Sequence, residues 1–237
     1  MLAGRTALVT GASRGIGAAI ARSLAAEGTR IALVARNREA LDQLASEIGQ
    51  RSFAAPCELT DAASVESMSL SVGKEFGAAP DIIVNNAGVF EVARLDTMPA
   101  SMFTRVVDTN LVAPFLIVQA FLAEMRERGS GHFVTIGSVA DRNIFPENGA
   151  YAPAKYALRA MHEVLRSELK GSGVRATLVS PGSVDTAMWD DVSFGGEERI
   201  IPQRNVMLAP DDIAAAVIYA LTQPPTVNID ELRLSRS

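Results

Sequence analysis

TALVTGASRGIG, residues 6–17, joins a short apolar run to a glycine-rich turn. Glycines at such a place permit a tight turn and let the backbone approach a diphosphate, and the amino end of the following helix offers free N–H groups to the anion. The spacing is Gly-x-x-x-Gly-x-Gly, and its position after a first strand predicts a dinucleotide-binding turn. The residues expected to contact the dinucleotide here are Gly11, Ser13, Arg14, Gly15, Ile16 and Gly17.

Short β-branched runs alternate with amphipathic segments along the rest of the chain. The predicted strands are Thr6–Val9, Ile31–Val34, Ser52–Ala55, Asp81–Val84, His132–Ile136, Arg175–Val179 and, last, Val227–Leu234. The predicted helices are Gly15–Glu27, Arg38–Ile48, Ala62–Phe76, Phe103–Arg128, Ala152–Leu169 and Asp211–Leu221. Because most of the strands are apolar on both faces, helices are expected to cover both sides of the sheet. The predicted fold class is α/β, a Rossmann-type, doubly wound, mostly parallel sheet flanked by helices on both faces.

The length of 237 residues suits one well-buried domain, residues 1–237, and no repeat or low-complexity linker divides it. From about residue 183 to residue 208 the β-α order loosens, and this stretch is expected to form a substrate loop with short helices. Trp189 and Met188 in that loop either cap an apolar substrate or pack within the loop.

Charge and cysteine content exclude several classes of protein. A net charge of −5 without a basic cluster argues against nucleic acid as a partner. Cys57 is the only cysteine, so the chain has no internal disulfide and no thiol metal site. His132 and His162 lack partners at metal-site spacing, and no metal is predicted. The run Leu111–Ala123 is too short and too interrupted for a membrane span, and a cytoplasmic protein is expected.

The end of the second strand bears on the choice between NAD and NADP. An acidic residue there would bind the 2′-hydroxyl of the adenosine ribose. Here Val34 is followed by Ala35-Arg36-Asn37-Arg38, which contains no carboxylate. Arg36, together with Arg14 of the glycine turn, could hold a 2′-phosphate through charge-assisted hydrogen bonds. NADP(H) is therefore the predicted cofactor.

A second group of motifs lies downstream, in a fixed order. It comprises Asn85-Asn86-Ala87-Gly88, Asn110, Ser138, Tyr151-x-x-x-Lys155, and Pro181-Gly182 with Thr186. Together with residues 10–17, these motifs resemble the short-chain dehydrogenase/reductase family in its single-domain form. The resemblance extends from Thr10 to Thr186, which is most of the chain.

The chemistry of a carbonyl reduction explains these residue types. The reaction needs a hydride on carbon and a proton on oxygen, and a phenol can supply the proton. Tyr151 and Lys155 are four residues apart on a predicted helix and share one face, so the ammonium is expected to lower the pKa of the phenol. Pro153 between them predicts that the helix begins close to Tyr151.

The resemblance assigns a role to each catalytic candidate. Tyr151 would be the general acid in reduction and the base in oxidation, and Ser138 would polarise the substrate oxygen. Lys155 would tune Tyr151 and hold the hydroxyls of the nicotinamide ribose. Asn110 would position a water that leads protons to Lys155. The substrate itself would be a small carbonyl compound or alcohol.

The resemblance also implies the remaining cofactor contacts. Asn86 and Gly88 would lie along the adenosine ribose, and Val184 with Thr186 would contact the nicotinamide carboxamide. Glu58-Leu59, after the third strand, stands where the family usually has an aspartate beside the adenine. The other residues expected in contact with the cofactor are Asn37, Pro181, Gly182, Tyr151 and Lys155.

Three functions stay open on the sequence. The first is an NADP(H)-dependent oxidoreductase acting on a ketone or a secondary alcohol, such as a carbonyl reductase. The alternatives are a 3-oxoacyl-[acyl-carrier-protein] reductase and a catalytically silent NADP(H)-binding regulator. The family resemblance further implies a homotetramer or a dimer, with contacts through Phe103–Arg128 and Ala152–Leu169.

Overall fold

The computed structural model describes residues 2–190, 192 and 203–237. Its centre is one parallel sheet of seven strands in the order β3-β2-β1-β4-β5-β6-β7. The strands are β1 Thr6–Thr10, β2 Arg30–Ala35, β3 Ser52–Pro56, β4 Ile82–Asn85, β5 Gly131–Ile136, β6 Val174–Pro181 and β7 Glu231–Leu234. The strand order reverses between β1 and β4, and ligands of such sheets bind at the carboxyl ends of strands near that reversal.

Within the described ranges, seven α-helices cover the two faces of the sheet. They are α1 Gly15–Ala26, α2 Arg38–Ile48, α3 Ala62–Phe76, α4 Ala100–Val107, α5 Ala113–Arg128, α6 Tyr151–Glu168 and α7 Pro210–Leu221. Buried side chains of α1, α2 and α7 form one apolar core with one face of the sheet. Those of α3, α5 and α6 form a second core on the other face. The predicted doubly wound α/β fold is thus confirmed.

The long helix predicted at Phe103–Arg128 is interrupted. A π-helical segment, Asp108–Val112, separates α4 from α5. Pro114 is the second residue of α5 and has no N–H to donate to the carbonyl of Asn110, four residues earlier. The local widening accommodates that missing hydrogen bond, and π segments of this kind often occur at functional sites.

The last strand begins later than predicted, at Glu231 instead of Val227. The side chain of Asn228 accepts a hydrogen bond from the N–H of Ala176, at 3.2 Å, and donates one to the carbonyl of Ala176, at 3.0 Å. These are backbone groups of β6 that a paired strand would use, so the ladder begins only at the pair Leu178 and Glu231.

The sequence predicted no membrane span in the apolar run Leu111–Ala123. Among the described residues, α4, the π segment and α5 together form one helical stretch, Ala100–Arg128, that is long and apolar enough to cross a membrane. Its residues Ile117, Phe121 and Met125 are buried against the sheet, which makes it a core helix.

The two ends of the expected substrate loop are tied together. The N–H of Leu208 donates to the carbonyl of Ser183, at 2.9 Å, and the N–H of Asp185 donates to the carbonyl of Leu208, at 2.8 Å. Within the loop, 3₁₀-helices span Ala187–Trp189 and Arg204–Val206. Residues 191 and 193–202 of the expected loop lie outside the described residues.

Candidate active site

A cleft of about 680 Å³ opens at the carboxyl ends of the strands. All but one of the residues predicted from the sequence line it. They are Gly11, Ser13, Arg14, Gly15, Ile16, Arg36, Asn37, Glu58, Leu59, Asn86, Gly88, Asn110, Ser138, Tyr151, Lys155, Pro181, Gly182, Val184 and Thr186. Residues far apart in sequence are therefore brought together in one elongated site.

Gly17 is the exception, since it does not line the cleft and instead packs against Gly11 and Asn86. A Cβ atom at Gly17 would stand 2.3 Å from the carbonyl oxygen of Gly11 and 2.6 Å from Nδ2 of Asn86. Nδ2 of Asn86 in turn donates to the carbonyl of Thr10, at 2.9 Å. Gly11 has a φ of +65°, in the left-handed region that favours glycine. At Gly11 and Gly17 the turn is thus packed so closely against the residues after β4 that neither position has room for a side chain.

The turn and the residues opposite it fit a dinucleotide. The cleft begins at the amino end of α1, where backbone N–H groups can receive a diphosphate. Arg14 and Arg36 are exposed at that end. The Arg36 guanidinium lies 3.9 Å from the carboxylate of Glu58. The sequence has no acidic residue at the end of β2, but the fold places Glu58, which follows β3, beside Arg36 at that end.

Tyr151, Lys155 and Ser138 lie at the other end of the cleft. Tyr151 is the first residue of α6, as Pro153 predicted, and Lys155 is one turn further along. The buried Lys155 donates from Nζ to the carbonyl of Ile136, at 3.1 Å, and so reaches back to β5. Ser138 follows β5, and its Oγ accepts a hydrogen bond from the N–H of Ala140. The end of β5 and the first turn of α6 therefore hold all three groups in place.

The pKa of Tyr151 moves in the direction opposite to the prediction. Burial raises the pKa of Tyr151 to about 12, a hydrogen bond with Ser138 partly opposes the rise, and Asp141 adds to it. Burial lowers the pKa of Lys155 to about 8, against the effect of Asp141. Desolvation is the largest effect on the phenol, and the ammonium of Lys155 lies 5.6 Å from the centre of the ring.

Asn110 lies within the π segment between α4 and α5. Its Nδ2 donates to the carbonyls of Val106 and Val89, both at 2.9 Å. Its buried Oδ1 has no hydrogen-bond partner among the described residues. A buried acceptor that faces the cleft beside Gly88 suits the binding of a water, as the resemblance implies.

The two histidines have structural positions, as expected. Nε2 of His132 lies 2.8 Å from Oγ1 of Thr177, and Nδ1 of His162 lies 3.0 Å from Oγ1 of Thr135. Burial lowers the pKa of His132 to about 3 and that of His162 to about 4. In the part of the chain that the structure describes, no group of three or more His, Cys, Asp or Glu side chains could hold a metal ion.

Sequence reasoning missed Phe90 and Asp141. Phe90 packs edge-to-face on Tyr151, with ring centres 4.8 Å apart, and likewise on Trp189, at 5.2 Å. Asp141 is a buried carboxylate three residues after Ser138. The sequence offered one signal for each, since Phe90 follows the motif that ends at Gly88 and Asp141 follows Ser138.

Comparison with known proteins agrees with this geometry. The family model described as short chain dehydrogenase matches residues 5–194. An uncharacterised oxidoreductase of Staphylococcus haemolyticus is 34% identical over 232 residues, which cover 98% of this chain and 96% of that protein. The chain belongs to the short-chain dehydrogenase/reductase family, and it is an oxidoreductase by that membership.

Two solved structures resemble the whole chain. An alcohol dehydrogenase from the archaeon Thermococcus sibiricus, complexed with 5-hydroxy-NADP, is 34% identical with a TM-score of 0.86, and the match covers 97% of this chain and 95% of that one. A metagenomic short-chain oxidoreductase in complex with NADP is 33% identical with a TM-score of 0.85, and the match covers 100% of this chain and 98% of that one.

Proposed function

We propose that the protein is an NADP(H)-dependent oxidoreductase that interconverts a ketone and a secondary alcohol, with Tyr151 as the general acid and base. The observation that carries the proposal is the convergence of Tyr151, Ser138 and Lys155 at one end of a cleft whose other end is a glycine turn. A hydroxyl pair beside a buried ammonium is suited to protonating a carbonyl oxygen.

The preference for NADP(H) rests on the charged side chains at the adenosine end of the cleft, which is the end formed by the glycine turn and the ends of β2 and β3. Arg14 and Arg36 are exposed there and can bind a 2′-phosphate. The two solved structures described above were both obtained with NADP or a derivative of it. Glu58 beside Arg36 acts against an anionic phosphate, so the preference is expected to be a balance between opposite charges.

The residues at the catalytic end have separate tasks. A bound nicotinamide would supply or accept the hydride. In reduction, Ser138 donates a hydrogen bond to the substrate oxygen, and Tyr151 donates a proton to that oxygen. Burial raises the pKa of the phenol, so the phenol is protonated at neutral pH and carries the proton that reduction needs. Lys155 and a water held by Asn110 return a proton to Tyr151.

The test is to follow NADPH absorbance while the protein is offered a panel of ketones, diketones and a 3-oxoacyl thioester. Turnover of any member supports the proposal. Turnover of the thioester in preference to simple ketones would favour the 3-oxoacyl reductase alternative. Tight binding of NADPH without turnover of any member would contradict the proposal and favour the silent regulator.

A further inference from the structure

Three aromatic rings line the substrate end of the cleft. Phe90 lies between Tyr151 and Trp189, edge-to-face with both, at ring-centre distances of 4.8 and 5.2 Å. The indole N–H of Trp189 donates to the carbonyl of Val184, at 3.0 Å, and this fixes the orientation of the ring. The catalytic phenol therefore stands at the end of an aromatic wall.

The cleft has further apolar lining residues, which are Val139, Ala140, Phe145, Ala187 and Met188. Among the described residues, the charged members of the lining are Arg14, Arg36 and Glu58 at the adenosine end, and Lys155. Lys155 is buried and donates to the carbonyl of Ile136, so it does not face outward to a substrate anion.

Charged side chains close to this end are paired with one another. Arg204 binds Asp185 at 2.7 Å and Asp190 at 2.5 Å. Arg105 binds Glu91 through two hydrogen bonds, at 2.8 and 2.5 Å. Both of these cations thus already have carboxylate partners.

From this wall we infer that the substrate is an uncharged carbonyl compound with an aromatic or similarly flat apolar group beside the carbonyl. The inference rests on the proposed function and names its substrate class. Edge-to-face packing against Phe90 and Trp189 would stabilise a ring, whereas a carboxylate in the same place would lose its hydration without gaining a cation from the residues that the structure describes.

Three probes separate the effects of charge and of the ring. Methyl benzoylformate is the expected substrate, benzoylformate has the same skeleton with a carboxylate, and methyl pyruvate has a methyl group in place of the phenyl. With NADPH, kcat/KM for methyl benzoylformate should exceed that for each of the other two by roughly tenfold or more. Equal or higher values for benzoylformate or methyl pyruvate would overturn the inference.

A variant of the wall tests the assignment to these residues. Trp189→Ala should raise KM for methyl benzoylformate by roughly tenfold, leave methyl pyruvate within about twofold, and leave the affinity for NADPH unchanged. Trp189→Phe should restore most of the loss, and Tyr219→Ala, at an exposed aromatic residue on α7, is the matched control. If Trp189→Ala raised KM for both substrates to the same extent, the assigned role of Trp189 would be overturned.

The outcomes also separate this inference from the function on which it rests. If the enzyme reduced other ketones but did not reduce methyl benzoylformate, only the inferred substrate class would be overturned. Failure to reduce any carbonyl compound, with NADPH bound, would overturn the proposed function and the substrate class together.

A second inference rests on a different group, the carboxylate of Asp141. The residue is 1% exposed and closes the 3₁₀-helix that begins after Ser138. Its Oδ2 accepts a hydrogen bond from Oγ of Ser180, at 2.6 Å. Its Oδ1 has no hydrogen-bond partner among the described residues and lies 3.6 Å from Nε of Arg142. Arg142 also binds Glu231 of β7, at 2.5 Å.

The place of Asp141 connects three parts of the catalytic end. Its Oδ2 would stand 3.0 Å from a Cβ at Gly137, the residue between Ile136, which accepts from Lys155, and Ser138. Ser180, its hydrogen-bond partner, directly precedes the Pro181-Gly182 segment of the cleft. Among the described residues, Asp141 is the charged group that acts on both Tyr151 and Lys155. Around Asp141 itself lie Arg142, which is paired with Glu231, and Arg159, which donates to the carbonyl of Asp141 and is paired with Glu163.

We propose that Asp141 is a positioning residue whose buried carboxylate holds the end of β6 against the turn after Ser138 and sets the electrostatic environment of Lys155. The electrostatic effects of Asp141 on Tyr151 and on Lys155 have the same sign, because a carboxylate favours the protonated form of both.

The test is the pH profile of reductive kcat/KM. In Asp141→Asn the decline at alkaline pH should begin at lower pH, so that the ratio of activity at pH 8.5 to that at pH 6.5 falls roughly threefold to tenfold relative to the unmodified enzyme. Ser180→Ala, which removes the hydrogen bond and keeps the carboxylate, should not move the decline to lower pH.

An unchanged profile in Asp141→Asn would overturn the proposal, as would the same shift in both variants. Circular dichroism and the affinity for NADPH establish that each variant is folded. Asp141→Ser, which is smaller, serves as the charge-free variant if the asparagine does not fold.

Discussion

At the scale of single residues, the adenosine end of the cleft places opposite charges side by side. Arg36 is 76% exposed and lies 3.9 Å from Glu58, whose Oε1 accepts hydrogen bonds from Thr60. Because Thr60 holds the carboxylate, a 2′-phosphate would meet both a cation and a fixed anion. The preference between NADPH and NADH therefore depends on which charge is nearer to the phosphate.

The combined change Arg14→Ala and Arg36→Ala should weaken NADPH binding by roughly tenfold to a hundredfold and change NADH binding by less than about threefold. Glu58→Gln is the matched variant at the same place, and it should tighten NADPH. Fluorescence titration with both cofactors measures these affinities. Equal losses for the two cofactors in the double variant would mean that the arginines do not bind the 2′-phosphate.

Residue identities in the cleft were predictable because they belong to motifs of fixed order. The burial of those residues was not predictable from the motifs, as Tyr151 illustrates. Its spacing from Lys155 predicted a lowered pKa, but spacing carries no information on burial, and burial raises the pKa instead. Phe90 and Asp141 escaped prediction for a similar reason, since an isolated Phe or Asp acquires a role only from its neighbours in space.

At the scale of elements, β5 and α6 are joined by a buried imidazole. His162 of α6 contacts Thr135 of β5, and His132 of β5 contacts Thr177 of β6. Both imidazoles have a lowered pKa in the folded protein. The unfolded chain therefore binds more protons between about pH 4 and pH 6.5, and the free energy of unfolding falls as the pH falls through that interval.

Between pH 7 and pH 4.5 the free energy of unfolding should fall by roughly 3 kcal/mol or more. In His162→Gln, which keeps a polar partner for Thr135 and cannot titrate, the fall should be smaller. Urea denaturation at a series of pH values measures both slopes. An identical slope in the variant would show that His162 does not contribute to the loss of stability in acid.

Elements with regular patterns were predicted within a few residues, and the exceptions have local causes. In the predicted long helix, Pro114 lacks the N–H of one backbone hydrogen bond. At the last strand, the side chain of Asn228 makes the hydrogen bonds to Ala176 that a paired strand would make. The sequence carries a trace of both changes, since Pro114 interrupts the apolar run of the helix and the alternation of the last strand changes phase after Asp230.

At the scale of the whole molecule, three helices of one face keep apolar side chains exposed. Phe103 of α4, Phe115 of α5 and Val164 of α6 are 42%, 46% and 56% exposed. These are the helices through which the family resemblance implies assembly, and aromatic residues are enriched in such contacts.

Light scattering should therefore give a molar mass two or four times that of one chain. Phe115→Glu should lower the mass, because a carboxylate in an apolar contact loses its hydration. Tyr219→Glu, on α7 at the opposite face of the sheet, is the matched control and should not change the mass. A monomer for the unmodified chain would contradict assembly through these helices.

The central claim concerns Tyr151, and the most direct test is the change Tyr151→Phe. The variant removes one oxygen atom and keeps the ring that packs on Phe90. With a ketone found in the panel, turnover should fall by roughly 10²-fold or more, while the affinity for NADPH stays within about twofold. Turnover close to that of the unmodified enzyme, with the cofactor bound equally well, would contradict the assignment of Tyr151 as the proton donor.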